Sequence, residues 1–222
     1  MPRIRVHQHV NPLAPYFRFT PKPLDFGQVF ANPALPLHLD IGAGRGKFLL
    51  QMAEIFPAQN FLGLEIREPL VAEANRQKNE KNLTNLHYEF LNATLALDKL
   101  LEKIPADILQ VVTIQFPDPW FKKKHAKRRL MQSEMVDTIA EYLTIAGKVF
   151  IQTDVEFLAG EMFELFRENK SFREIEIAEN PFPVKTEREK AVEEKSLPVY
   201  RKIFEKVQSG KSSKRKGENV KM

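Results

Sequence analysis

Leu37-His38-Leu39-Asp40-Ile41-Gly42-Ala43-Gly44-Arg45-Gly46-Lys47 runs from a short apolar segment into three closely spaced glycines. A helical pattern follows at once. Leu49, Met52, Ala53 and Phe56 recur at i, i+3, i+4 and i+7, one face of a helix over 47–56. Strand, glycine turn and helix in this order open a βαβ unit. The alternation continues outward. Residues 60–66, 85–91, 108–116 and 147–153 read as strands, with 108–116 (ILQVVTIQF) β-branched enough to be central. Helices are expected over 69–81, 94–103, 133–143 and 155–168, the last stacking Leu158, Met162, Leu165 and Phe166. Strand-like pieces at 172–178 and 199–206 end the pattern. They are joined by a Pro-rich stretch, 180–198, without a clear helix of its own. The fold class is therefore α/β: a doubly wound, mostly parallel, Rossmann-like sheet of about seven strands, one of them antiparallel. Ligands of such a fold bind beyond the carboxyl ends of its strands.

Three segments divide the 222 residues. Residues 1–36 hold seven of the fifteen prolines and read as an irregular lead-in to a domain over 37–207. Residues 208–222 form a basic tail whose Ser/Lys/Gly content predicts disorder. With no Cys, disulfides, thiol nucleophiles and thiolate metal sites are excluded. His7 and His9 have no further ligands nearby, so no metal is expected. No apolar run spans a bilayer, and the first residues lack the apolar core of a secretory leader, which suits a cytoplasmic protein. The net charge is +5, yet residues 122–129 alone carry +6 and the tail +4, which leaves −5 for the rest. An acidic body with two basic patches points to a polyanionic partner. Oligomeric state is not legible.

The glycine loop bears on the cofactor. A dinucleotide fingerprint needs its third glycine where Lys47 stands. An acidic residue two positions before Gly42 also suits a cation better than a pyrophosphate. The loop fits S-adenosylmethionine (AdoMet), whose methionine end carries an ammonium and a sulfonium. Glu65 ends the second strand, where a carboxylate accepts from ribose hydroxyls in either kind of nucleoside site. Asn92 and Ala93 follow the third strand, where an amide is suited to an adenine amine; an Asn there is also a common turn former.

The stretch Phe116-Pro117-Asp118-Pro119-Trp120-Phe121-Lys122-Lys123-Lys124-His125-Ala126-Lys127-Arg128-Arg129-Leu130 leaves the fourth strand. Two prolines restrict the backbone of Asp118. A carboxylate held this way can be aimed at a base edge, while the Lys/Arg run beside it holds phosphates.

FPDPWFKKKHAKRR closely resembles the signature of the bacterial tRNA (guanine-N7-)-methyltransferase family. The glycine loop, LGLEIR, Thr153-Asp154 and Thr186-Glu187-Arg188-Glu189 extend the resemblance from Asp40 to about Phe204. It implies a class I AdoMet-dependent methyltransferase that modifies N7 of guanine-46 in the tRNA variable loop. It implies that Asp40, Gly42, Gly44, Glu65, Asn92, Ala93 and Asp118 line the cofactor site, with Asp118 catalytic. It implies substrate contacts at Lys122, Asp154, Thr186 and Glu189. Lys123, Lys124, Lys127, Arg128 and Arg129 are expected on the tRNA backbone. Position 40 is often Glu in the family and position 92 often Asp; both residues here keep an acceptor. Arg188 stands where an aromatic is common.

Local readings compete. Thr153-x-x-Glu156 and Thr186-x-x-Glu189 both have capping-box spacing; the first leaves the Asp154 carboxylate free, and the second could cap a helix within 186–195. Competing functions are an AdoMet-dependent methyltransferase acting on another RNA or a protein, a nicotinamide oxidoreductase, and a non-catalytic RNA-binding protein.

Overall fold

A computed structural model describes residues 10–208; the His7/His9 pair and the tail beyond Gln208 lie outside them. Seven strands form one sheet: β1 (Leu37–Ile41), β2 (Asn60–Glu65), β3 (Leu86–Phe90), β4 (Leu109–Gln115), β5 (Lys148–Thr153), β6 (Phe172–Ile175) and β7 (Tyr200–Lys206). Their order is β3-β2-β1-β4-β5-β7-β6. The five leading strands are parallel, and β7 inserts antiparallel between β5 and β6. The expected single antiparallel strand is thus the last one in the chain. Chain order reverses at β1, which has β2 on one side and β4 on the other. This is the switch point where a doubly wound sheet opens a ligand crevice.

Helices are α1 (Phe26–Val29), α2 (Lys47–Ile55), α3 (Glu68–Glu80), α4 (Ala93–Leu101), α5 (Ser133–Tyr142), α6 (Glu156–Glu168) and α7 (Glu187–Glu193). Period-2 alternation splits the core into two clusters. Leu37, Leu39, Ile41, Leu62 and Leu64 face the larger one, with α1, α4, α5 and α6. Phe61, Leu86 and Tyr88 face the smaller one, with α2 and α3. Leu24, Phe26 and Phe30 belong to the larger cluster, so the Pro-rich lead-in contributes to the core. The connection 180–198 also contains a short helix, α7, nucleated by the Thr186 hydroxyl, which accepts from the Glu189 N–H at 3.1 Å.

A row of register partners crosses the sheet beneath the glycine loop: Tyr88, Gly63, Asp40 and Thr113. A Cβ on Gly63 would come within 2.5 Å of the Tyr88 ring. Glycine there lets the ring lie flat on the sheet and reach the loop, where its hydroxyl donates to the Gly46 carbonyl.

Candidate active site

The carboxyl ends of β1 to β4 enclose two adjoining cavities, of about 130 and 670 Å³. Glu65, Asn92 and Ala93 line the inner one together with Val10, Pro12 and Trp120. Asp40, Gly44, Phe121, Asp154, Thr186 and Arg188 line the outer one. Gly42, Arg67, Gln115 and Asp118 line both.

The glycine loop is shaped by three left-handed residues, Gly42, Gly44 and Gly46, at φ of 91°, 59° and 74°. Around Gly42 and Gly44 the place of a Cβ is open, with nothing within 4 Å. This bare backbone is the concavity a ligand can approach. Gly46 is different: a Cβ there would meet Tyr88 at 2.7 Å. The loop is tied to β2 by the Gly44 N–H, which donates to Glu65 at 2.8 Å.

Asp40 is buried and accepts from the Thr113 hydroxyl at 2.6 Å. Thr113 lies 3.1 Å from the His38 ring, whose protonation is suppressed by burial, its pKa held down at about 3. The Thr113 hydroxyl gives its proton to Asp40, so the neutral imidazole donates to Thr113. Burial pushes the Asp40 carboxyl up to about 6 against that hydrogen bond, and Glu65 adds a smaller push in the same direction.

Glu65 is equally occupied. One carboxylate oxygen accepts from the Arg67 N–H and Nε, the other from Gly44 and from Arg67 Nη2, at 2.8–3.0 Å. Four lone-pair positions take four donors. Ribose hydroxyls can bind this carboxylate only as the Arg67 guanidinium yields. Arg67 is not among the site residues expected from sequence, although it closes the LGLEIR segment two residues beyond the strand-end Glu. Asn92 precedes α4 and lines the inner cavity; its amide nitrogen donates to the Pro12 carbonyl at 2.9 Å, which leaves its oxygen to act as an acceptor.

On the outer side, three consecutive residues anchor one wall. Glu187 pairs with Lys47 of α2, Arg188 with Asp154 beyond β5, and Glu189 with Gln152 of β5. The Asp154 carboxylate, expected free, is therefore paired. Thr153 makes no capping box either: its hydroxyl accepts from Val155 N–H, and α6 begins without a side-chain cap. Glu189 lines neither cavity. It is wholly buried and accepts from Gln152 at 3.0 Å, Asn180 at 2.8 Å and Arg201 at 3.4 Å.

The basic run divides in the same way. Lys122, Lys123, Lys124 and Lys127 are exposed in and beside a 3-10 turn over Lys123–Arg128. Arg128 lies over the Trp120 ring at 5.0 Å and reaches the inner cavity. Arg129 is 8% exposed. Its three nitrogens hold the Pro119 carbonyl, the Trp120 carbonyl and Glu161. It locks the Asp118 loop instead of facing water.

The open glycine backbone and the carboxylates of Asp40, Glu65 and Asp118 suit a cationic nucleoside and fit AdoMet. Among the described residues, no group of three or more His, Asp or Glu is placed to hold a metal ion, and no helix is long and apolar enough to cross a membrane.

Comparison with known proteins agrees with this geometry. A family model described as "Putative methyltransferase" matches residues 34–202. A "tRNA (guanine-N(7)-)-methyltransferase" of Trichormus variabilis is 52% identical over 93% of this chain and 98% of its own length. One of Synechococcus elongatus is 53% identical over 92% and 97%. Among solved structures, the aminoglycoside resistance methyltransferase NpmB1 superposes with a TM-score of 0.52 over 83% of this chain and 94% of its own, at 16% identity, a likeness of fold alone. The sheet is that of a class I AdoMet-dependent methyltransferase, and the chain belongs to the tRNA (guanine-N(7)-)-methyltransferase family.

Proposed function

We propose that the protein, acting in the cytoplasm, transfers the methyl group of AdoMet to N7 of a guanine in tRNA, guanine-46 of the variable loop. One observation carries the reading: Asp118, fixed between two prolines, lines the inner and the outer cavity alike. A group in that position touches what binds on either side.

Asp40, Glu65, Asn92 and the bare loop at Gly42 and Gly44 would hold AdoMet. When bound, it supplies a methyl group on a sulfonium, and the electron pair of the broken carbon–sulfur bond stays on sulfur. Guanine N7 has a free lone pair and no proton, so the base becomes a cation and nothing has to be deprotonated. Asp118 orients the guanine by accepting from its N1–H or N2–H and offsets the growing positive charge. Thr186 and the Asp154–Arg188 pair form the substrate wall. Glu189 acts through that wall, as a positioning residue. The exposed lysines attract the tRNA backbone. A guanine in a folded tRNA has to be at least partly extruded to reach this depth.

The test is methyl transfer from labelled AdoMet to unmodified transcripts with and without guanine-46, with product mapped by borohydride/aniline cleavage. Cleavage that depends on that guanine is expected. Labelling that ignores it discards the site, and labelling of another RNA or of protein alone discards the substrate. Asp118→Asn is expected to lower the single-turnover rate about 10- to 100-fold with tRNA still bound.

A further inference from the structure

The loop after β4 presents an aromatic ring to water at some cost. Phe121 is 71% exposed. Trp120 before it sits at φ 42°, a left-handed conformation that a bulky residue seldom adopts, and Phe116 at φ 50° repeats the strain at the start of the loop. Arg129 holds the turn through the Pro119 and Trp120 carbonyls. Behind Phe121 stands Phe157, 40% exposed, its ring centroid 5.8 Å away. A single exposed Phe is ordinary. Two exposed rings in contact at the rim of the outer cavity, one on a strained and buttressed turn and the other on α6, are not.

We propose that Phe121, backed by Phe157, is the stacking platform for the guanine that receives the methyl group. The proposal rests on the reading of this site as a guanine-N7 methyltransferase and deepens it. The ring shares the outer cavity with Asp118, so a base stacked on it lies within reach of that carboxylate. Lys122 follows directly in sequence and stands in water, placed for the phosphate of the same nucleotide. A purine offers the flat face such a ring needs, and stacking is indifferent to the base's hydrogen-bonding edge, which is left to Asp118.

The ring also bears on the chemistry. As the N7 lone pair forms its bond to carbon, the carbon–sulfur bond breaks. Sulfur becomes a neutral thioether and the guanine a cation, with no proton released. An aromatic face attracts a cation more strongly than a neutral base. Phe121 therefore holds the product-like base more tightly than the starting one, and contributes to turnover as well as to binding.

Phe121→Leu keeps an apolar side chain and removes the π face; Phe121→Trp restores it. Steady-state rates on tRNA are measured for both, with AdoMet binding measured separately by calorimetry. Phe121→Leu should lower kcat/KM about tenfold, mostly in kcat, and Phe121→Trp should recover most of that, with AdoMet affinity within about twofold in both. A second measurement does not need turnover: binding of 7-methylguanosine monophosphate and of guanosine monophosphate to the protein loaded with S-adenosylhomocysteine. The native protein should prefer the methylated nucleotide, and Phe121→Leu should lose that preference. A Leu variant as active as the native enzyme, a Trp variant no better than Leu, or a nucleotide preference untouched by the substitution each overturns the platform. A native enzyme that labels no tRNA overturns the underlying reading instead, and the nucleotide arm still decides for or against the ring.

Discussion

Asp40 carries a trade between stability and binding. Its folded pKa, about 6, lies above the ordinary aspartate value of 3.8 because of burial. Between those two values the folded protein binds more protons than the unfolded chain, so this group's contribution to stability falls as pH rises through the window. At neutral pH a charge is held in a site that disfavours it. A cationic ligand relieves that cost and lowers the pKa in the complex. AdoMet affinity is thus expected to be flat from pH 6 up to the titration of the ligand's own α-amino group at about pH 8, and to fall up to about tenfold per unit below pH 6, with proton release near pH 6 visible by calorimetry in buffers of different ionisation enthalpy. Asp40→Asn keeps an acceptor for Thr113 and removes the charge. It should abolish the pH dependence, weaken AdoMet, and raise ligand-free stability at neutral pH by about 1–3 kcal/mol in urea denaturation. A ligand-free variant less stable than the native protein would sink this account.

The glycine loop shows that neighbouring glycines in one element serve different ends. Gly44 is required for its backbone angle, Gly46 for its angle and for Tyr88 beneath it. Gly46→Ala should cost about 3 kcal/mol by combining strain with overpacking, Gly44→Ala about 1, both read as shifts in urea midpoint at constant slope. The wall over 186–189 makes a parallel case. Glu189→Ala leaves Arg201, Asn180 and Gln152 without their shared acceptor, and should destabilise by about 3 kcal/mol as well as raising the KM for tRNA. Elements with strong periodicity were legible: all seven strands and the longer helices lie within a few residues of their expected bounds. What escaped was held by partners distant in sequence. Leu24, Phe26 and Phe30 enter the core from a proline-rich segment that shows no period. Helix α7 has no apolar stripe; its cap at Thr186 was legible from the spacing to Glu189, but the burial of the Glu189 carboxylate against Gln152 and Arg201 was not. At the site, the motifs placed Asp40, Glu65, Asn92 and Asp118 around the cavities. Arg67 occupying Glu65, the arginine on Asp154 and the outward presentation of Phe121 depend on the folded chain and leave no local pattern in the sequence.

On the scale of the whole molecule, charge separates attraction from architecture. The body of the chain is acidic, and the basic run at 122–129 sits beside the outer cavity. Attraction to a polyanion through that run releases counterions, so affinity for tRNA should fall steeply with salt. Not every charge in the run contributes to that slope. Lys122, Lys123, Lys124 and Lys127 stand in water, whereas Arg129 is consumed by two carbonyls and Glu161. Replacing any one of the four lysines by Ala should reduce the slope of log affinity against log salt by about one, with folding unchanged. Arg129→Ala should do the reverse: leave the slope near its native value, lower the unfolding midpoint, and slow methyl transfer, because the turn that carries Asp118 and Phe121 loses its brace. Titrations of tRNA at several salt concentrations, set beside thermal unfolding of the same variants, separate the two classes. A loss of slope in Arg129→Ala with an unchanged midpoint would return that guanidinium to the phosphate backbone and leave the strained loop without its support.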